Sequence, residues 1–429
     1  MAKIKVPYYK QAVEIEINDK NLKRVLVSKA HEYESGKTES RIIIDAMENP
    51  IGSERLEILA RGKKDMVIIT SDHTRPVPSS ITLPLILSAV RSVNPEIDIT
   101  IAISTGSHRD MTKEEMTAKF GADLVAKEKF FMHHCNDPAQ MVSLGILDTG
   151  LNAEVNRVIV ETELLIAEGF IEPHFFAGFS GGRKSVFPGM ASLDCIRANH
   201  CAEYIASGKA RTGMLDGNPI HNEATEMARL AKLSYILNVV LDGDKKIIKA
   251  FAGDFEKAHR AGCDFVTGLS SVQAAPADIV VTTNGGYPLD QNIYQSVKGM
   301  TAAEAVCREG GVIIMIASCS DGHGGDSFYK TFKNASSPEE VTASIINTGR
   351  TDTVIDQWQS QILARVLTKC RVIMVTDMCE KDVVETFMMK HAENFDEALE
   401  TAYCLTSPDA SVTVISDGVS VIVTKGLDL

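Results

Sequence analysis

Three short runs of mostly β-branched and apolar residues, Met66–Thr70, Ile97–Ile103 and Leu164–Ala167, each break off into a polar loop. Such runs are typical of strands buried on both faces of a parallel sheet. Helical patterns separate them: Ser80–Val93 follows the first run, and a helix opened by the capping box Thr112 and Glu115 follows the second. Strands alternating with helices predict an α/β fold, with mostly parallel sheets flanked by helices. In such sheets ligands bind beyond the carboxyl ends of the strands. Here those ends feed loops carrying Asp72, His73, Thr74 and Arg75, then His108, then His174 and Lys184. Three loaded loops on one sheet edge are the strongest residue-level argument for an active site. Pro76 and Pro78 keep the first loop extended.

The third loop, Glu168–Gly189, has four glycines from Gly169 to Gly182 but neither dinucleotide nor Walker spacing. A glycine-rich turn after a strand lets backbone N–H groups approach an anion. Phe170, Phe175, Phe176, Phe179 and Phe187 make the stretch too apolar for a solvated loop, so it reads as a pocket wall. Lys184, beside Arg183 and among aromatic rings, is expected to lose basicity and become a nucleophile. That suits either a Schiff base or a covalent link to a cofactor. His200 falls near the end of a helix predicted over Ser192–Ala202, where the helix dipole favours an imidazole. A lone histidine is a poor metal site, since most need three or four protein ligands. His108 and His174, on neighbouring loops, suit paired acid–base work near neutral pH.

Asp242-Gly243 between Ile236–Leu241 and Lys246–Phe251 signals a hairpin. Ser270–Asp278 reads as a junction, giving an N-terminal domain over residues 1–269, a linker over 270–278 and a C-terminal domain over 279–429. The second unit opens with the strand Ile279–Thr283, the loop Asn284–Gln291 and a helix on which Gln295 and Lys298 share a face. The expected active site lies in the cleft between the domains. Arg75 and Lys298 would bind a carboxylate from opposite sides, the guanidinium fork suiting it well. Gln295 would hydrogen-bond the substrate, Asp72 would orient a cofactor or a catalytic group, and Tyr294 would line the cleft. Trp358 would pack beside the site. His73, His133, His134 and His323 read as structural, with His323 in Asp321–Gly325 just behind the contacts.

The formal net charge of −13 argues against nucleic acid or an anionic membrane as partner. It leaves the basic loops as the natural place for a small anion. Nine cysteines without regular spacing suggest reduced thiols in a cytoplasmic protein. Met1–Lys10 lacks the apolar core of a signal peptide, and no run of about 18 apolar residues suggests a membrane span.

The stretch Glu168–Gly189 closely resembles the nickel-pincer-nucleotide lactate racemase family. So do Asp72–Pro78 (DHTRPVP), Ser104–Arg109 (STGSHR), Asn284–Met300 (NGGYPLDQNIYQSVKGM) and Asp321–Gly325 (DGHGG), in order along most of the chain. The resemblance implies a racemase of 2-hydroxy acids, lactate first, working by proton-coupled hydride transfer through a 2-keto acid. It implies a pyridinium mononucleotide carrying nickel and joined to Lys184 by a thioamide. His200 would ligate the metal, with the cofactor filling the other positions of a square plane. His108 and His174 would alternate as acid and base. Cofactor phosphate is expected on Thr70–Thr74, including Asp72, His73 and Thr74, and on Gly178–Gly182, including Ser180 and Gly181, with Arg183 beside it. Separate maturation proteins are expected to deliver the cofactor. Ser107 and Asp110-Met111 depart from the lactate-type pattern, and a small Ser107 leaves room for a longer hydroxy acid or sugar acid. A metal-free Schiff-base lyase would use Lys184 alone. A non-catalytic two-domain anion-binding protein would explain Arg75 and Lys298, but leaves His108, His174 and Lys184 without work.

Overall fold

The computed structural model describes residues 1–424. Two six-stranded sheets organise the chain. In the first, the spatial order is Ile247–Gly253, Tyr235–Leu241, Leu165–Phe170, Asp65–Ser71, Asp98–Ser104 and Lys129–Met132. All neighbours are parallel except the Tyr235–Leu241/Ile247–Gly253 hairpin. Chain order reverses beside Asp65–Ser71, and this switch point leaves a crevice at the strand ends. The second sheet, Lys390–Ala392, Arg371–Val375, Cys307–Ile316, Ala277–Thr283, Val412–Ile415 and Leu22–Leu26, is parallel throughout. Its central strand ends at Thr283, facing the same cleft.

Local signals explain the flanking helices. Ser79–Arg91 begins as soon as the restriction of Pro78 is passed, and Pro84 lies in its second turn. Thr112 and Glu115 form the expected capping box. Asn292 caps Ile293–Val306 by accepting from the Gln295 N–H. Among the described residues no helix is long and apolar enough to cross a membrane.

The expected domain limits need correction. Residues 1–26 belong with the second sheet: Leu22–Leu26 is its edge strand, and the hairpin Ala2–Tyr8/Gln11–Ile17 covers one face. A two-stranded ribbon is marginal alone. This one gains stability by burying Val6, Ile15 and Ile17 against Ile279, Val281 and Val312. Nor is 270–278 a free linker, because Ser271–Gln273 pairs with Ile422–Thr424.

Candidate active site

The first loop is held by a buried aspartate. Asp72 Oδ1 accepts from the Thr74 N–H at 3.0 Å and the Thr74 hydroxyl at 2.5 Å, while Oδ2 lies 2.7 Å from His108 Nδ1. Arg75 Nη1 donates to Thr74 Oγ1 at 3.0 Å. Asp72 is 1% exposed. Burial alone would raise its pKa, but the hydrogen bond and charge of His108, with the charge of Arg75, outweigh that and hold the carboxyl well below its usual range. The carboxylate fixes Nδ1–H on His108 and turns Nε2 outward.

Two further residues brace this loop, and the sequence did not single them out. Glu168 is buried at the end of its strand and accepts from Thr70 Oγ1 and Ser79 Oγ, both at 2.5 Å, and from the Thr82 hydroxyl. Lys119 Nζ donates to the Arg75 carbonyl at 2.9 Å and the Val77 carbonyl at 3.4 Å. No spacing rule marks either residue; their role follows from depth.

The Lys184 turn starts at Gly181, with φ +75°, where a Cβ would stand 2.6 Å from Asn238 Oδ1 and 2.8 Å from the Phe170 carbonyl. Only glycine fits. The adjacent basic side chains then part. Arg183 turns into the interior and donates to the carbonyls of Ala177 at 2.7 Å and Phe179 at 2.9 Å. Lys184 turns into the cleft, its Nζ 3.1 Å from His174 Nε2 and over the Phe176 ring. A two-residue ladder with Gly178–Phe179 holds His174, and His174 Nδ1 accepts from the Ala177 N–H at 3.2 Å. The neutral ring therefore carries hydrogen on Nε2, and the Lys184 lone pair accepts it. Burial, then Arg183, Arg75 and Lys298, pushes the Lys184 pKa far down, in agreement with a neutral amine. Burial, with the charges of Lys298, Arg75 and Arg183, does the same to His174.

The predicted helix over Ser192–Ala202 is two helices. Leu193–Asn199 is capped at its end by His200, and Ala202–Ala206 follows. His200 Nδ1 donates to the Ile196 carbonyl at 2.8 Å, leaving Nε2 as a lone-pair donor. Burial brings its pKa down to about 3, so the ring stays neutral. Phe176 and Trp358 flank it, 5.1 and 4.9 Å away between ring centroids.

The second lobe closes the cleft with one helix face. Gln295 and Lys298 point in, and Trp358 Nε1 donates to the Tyr294 hydroxyl at 3.1 Å. Burial, then Arg75, brings the Lys298 pKa down to about 8. The cavity so enclosed is about 210 Å³ and brings together Asp72, Arg75, His108, His174, Gly181, Lys184, His200, Tyr294, Gln295, Lys298 and Trp358. Three buried polar atoms on its wall, Ser71 Oγ, Gln295 Oε1 and Gln359 Oε1, have no hydrogen-bond partner among the described residues.

Other expected contacts lie off the wall. His73 faces Glu115 at 3.5 Å, and the Thr74 hydroxyl is engaged by Asp72. Ser180 Oγ donates to the Phe170 carbonyl and accepts from the Glu172 N–H, both at 2.9 Å. Gly178 serves the His174 ladder, and Gly182 abuts His259. With Arg183 turned inward, the stretch Gly178–Arg183 is mainly an internal brace. His323 stacks on Tyr329, with ring centroids 4.8 Å apart. The small polar groups beside Lys184 are instead Ser71, Ser104–Ser107 and Ser185.

Two α/β lobes meet at a cleft lined by Arg75, Lys298, Lys184 and the three histidines His108, His174 and His200, as an enzyme for a small anionic substrate would require. The chain belongs to the lactate racemase family. The lactate racemase N-terminal domain matches residues 8–213 and the C-terminal domain residues 272–423. A lactate racemase of Thermoanaerobacterium thermosaccharolyticum is 53% identical over 423 residues, 99% of each chain. One of Lactiplantibacillus plantarum is 52% identical over 423 residues, 99% of this chain and 100% of the relative. The structure of the lactate racemase apoprotein from T. thermosaccharolyticum superposes with a TM-score of 0.96 at 52% identity, covering 99% of this chain and 100% of that one. A Thermotoga maritima protein, 18% identical with a TM-score of 0.66 over 90% of this chain and 98% of its own, shares the fold.

Proposed function

We propose that this chain interconverts D- and L-lactate by removing the hydroxyl proton and the C2 hydride together and returning them to the opposite face of the keto acid. The observation that supports this most directly is the pair of histidines in one cleft with a carboxylate clamp. Arg75 and Lys298 hold the substrate carboxylate from opposite lobes. Gln295, on the cleft wall, donates an amide N–H to the substrate hydroxyl oxygen and leaves the hydroxyl proton free for the histidines. His108 exchanges the hydroxyl proton at Nε2 because Asp72 occupies its Nδ1 side. His174 does so for the other enantiomer once Lys184 no longer accepts from it. Tyr294 and Trp358 close the cleft against water.

The residues present fit a covalent nickel-pincer nucleotide. Lys184 is a neutral amine suited to a thioamide link, and His200 offers one imidazole lone pair. No group of three or more His, Cys, Asp or Glu among the described residues could hold a metal, so nickel here would take most of its ligands from the nucleotide. Ser71, Ser104–Ser107 and Ser185, rather than Gly178–Arg183, are the better cradle for its phosphate. When bound, this group supplies the hydride acceptor. Maturation proteins would deliver it. All nine cysteines are unpaired, which supports a cytoplasmic setting.

The test is chiral chromatography of L-lactate incubated with protein made with, and without, the cofactor-building proteins. D-lactate only from the matured sample, together with an adduct on Lys184 by intact mass, supports the reading. An adduct without D-lactate would overturn the choice of substrate. Because Ser107 lines the cleft, longer 2-hydroxy acids and sugar acids are the second panel, and Ser107→Phe should favour lactate over them.

A further inference from the structure

Two-base racemisation leaves the protein in a different protonation state after each turnover. If His174 takes a proton from one enantiomer and His108 gives one to form the other, His174 ends charged and His108 without the proton it gave. The next turnover in the same direction requires the reverse of both. His108 can exchange with solvent directly, its side chain being 41% exposed. His174 sits deeper, against Phe175, Phe176 and Lys184, and an occupied cleft closes its front.

Behind His174 lies a cavity of about 20 Å³, walled by His174, Lys298, Thr212 and Glu172. About 10–15 Å³ is enough for one water. Glu172 also walls a second cavity of about 80 Å³ between the lobes, whose polar lining includes Asp242, Lys245 and Asp417. Glu172 thus borders both the space behind His174 and the outer space. Its carboxyl has no hydrogen-bond partner among the described residues, although its backbone is pinned to Ser180 through the 2.9 Å N–H···Oγ bond and the 3.0 Å bond from the Ser180 N–H. Burial raises its pKa, opposed by Lys298, Lys245 and Arg75 and reinforced by Asp417. A half-buried carboxyl left free beside two cavities has the makings of a relay, whereas structural carboxyls such as Glu168 have their oxygens engaged.

We propose that Glu172 carries protons between solvent and His174. The carboxylate takes a proton from a solvent acid, hydronium or buffer, that reaches the outer cavity, and the conjugate base returns to bulk. The acid then gives its proton to a water in the inner cavity as that water passes one of its own to the imidazole. Carboxylate and water are restored and the ring gains one proton; the direction of racemisation that leaves the ring charged runs the path backwards. This rests on the proposed racemase reading, and the native matured protein tests that reading separately.

The experiment compares matured native protein, Glu172→Gln and Glu172→Asp. Glutamine cannot shuttle a proton, so the variant should keep the Lys184 adduct mass and the lactate KM. Its first turnover should run at the native rate, followed by a steady state slowed about 10- to 100-fold, the lower part of the range for lost acid–base help. Formate should restore part of kcat, and Glu172→Asp should retain more activity than Glu172→Gln. A native kcat in Glu172→Gln would overturn the proposal. So would first-turnover and steady-state rates falling together without response to formate, since that marks a structural role.

Discussion

His108 and His174 face one substrate site from surroundings of opposite sign. His108 is exposed, and a buried carboxylate fixes its tautomer. His174 lies beside the neutral Lys184 and near Lys298, Arg75 and Arg183, and burial with those three charges keeps it neutral. The cations around His174 oppose its protonated form, whereas the carboxylate behind His108 fixes which nitrogen faces the cleft. The lesson is that a pair of like residues need not be a symmetric pair. In a site that treats two mirror-image substrates, the environments fix the tautomer of one histidine and the charge of the other.

The largest expected effects come from deleting either ring. His108→Ala and His174→Ala should each lower racemisation about 10²- to 10⁴-fold, the usual span for lost general acid–base catalysis. Only His174→Ala should also raise the pH needed to acylate Lys184 in apoprotein, because it removes the Nε2–H donor to the amine. Equal labelling profiles for the two variants would break the comparison. Next in size is Asp72→Asn, which removes a charged hydrogen bond and frees the His108 tautomer. A loss of about 10- to 100-fold in kcat is expected, with Lys184 labelling unchanged. Chiral assays and peptide mapping read both.

The His200 region depends on the other lobe in a way the two histidines do not. Arg350 reaches across to donate to the carbonyls of Ala198 and Thr149, both at 3.0 Å, and pairs with Glu223. Glu223 in turn accepts from Asn199 Nδ2 at 2.9 Å, immediately before His200. Arg350→Ala should cost about 1–3 kcal/mol in urea unfolding, the range for leaving a buried carboxylate short of a partner. It should also speed nickel loss to a chelator while leaving Asp72–His108 intact. Undiminished nickel retention would show that the lobes do not share the placement of His200.

Much of this was legible in the sequence because it depends on short-range rules. The three strand runs, the Asp242-Gly243 hairpin, the Thr112–Glu115 box and the common face of Gln295 and Lys298 all follow from local period or cap chemistry. Direction and distance were not legible. Arg183 and Lys184 are adjacent and alike in charge, yet a single turn sends one inward and the other into the cleft. The membership of Leu22–Leu26 in the second sheet depends on a partner almost 400 residues away, Val412–Ile415. Glu168, Glu172 and Lys119 look like surface charges until the fold buries or walls them in, so no motif marks them.

Lys119 offers the smallest and most local test, because it touches only the His108 half of the site. Its ammonium holds the Arg75 and Val77 carbonyls from behind. Lys119→Met should loosen the carboxylate clamp and raise the lactate KM about 2- to 10-fold, the value of one or two net hydrogen bonds. Neither kcat nor Lys184 labelling should follow. The same residue has a pH signature. Burial brings its pKa down to about 8, against 10.5 for a free lysine; Arg75 adds to the shift, while Glu168 and Asp72 oppose it. Between those values the unfolded chain binds more protons than the folded one, so this group makes stability rise with pH across that window. Below about 8 both states carry the charge and the slope vanishes. Subtracting the urea stability of Lys119→Met from that of the native protein at each pH should therefore give a difference that is flat up to pH 8 and climbs towards pH 10.5. A difference that stayed flat throughout would mean that the lysine is as well hydrated folded as unfolded. The brace behind Arg75 would then be no firmer than a surface contact, and the contrast between a firmly held His108 side and a buried His174 side would lose one of its supports.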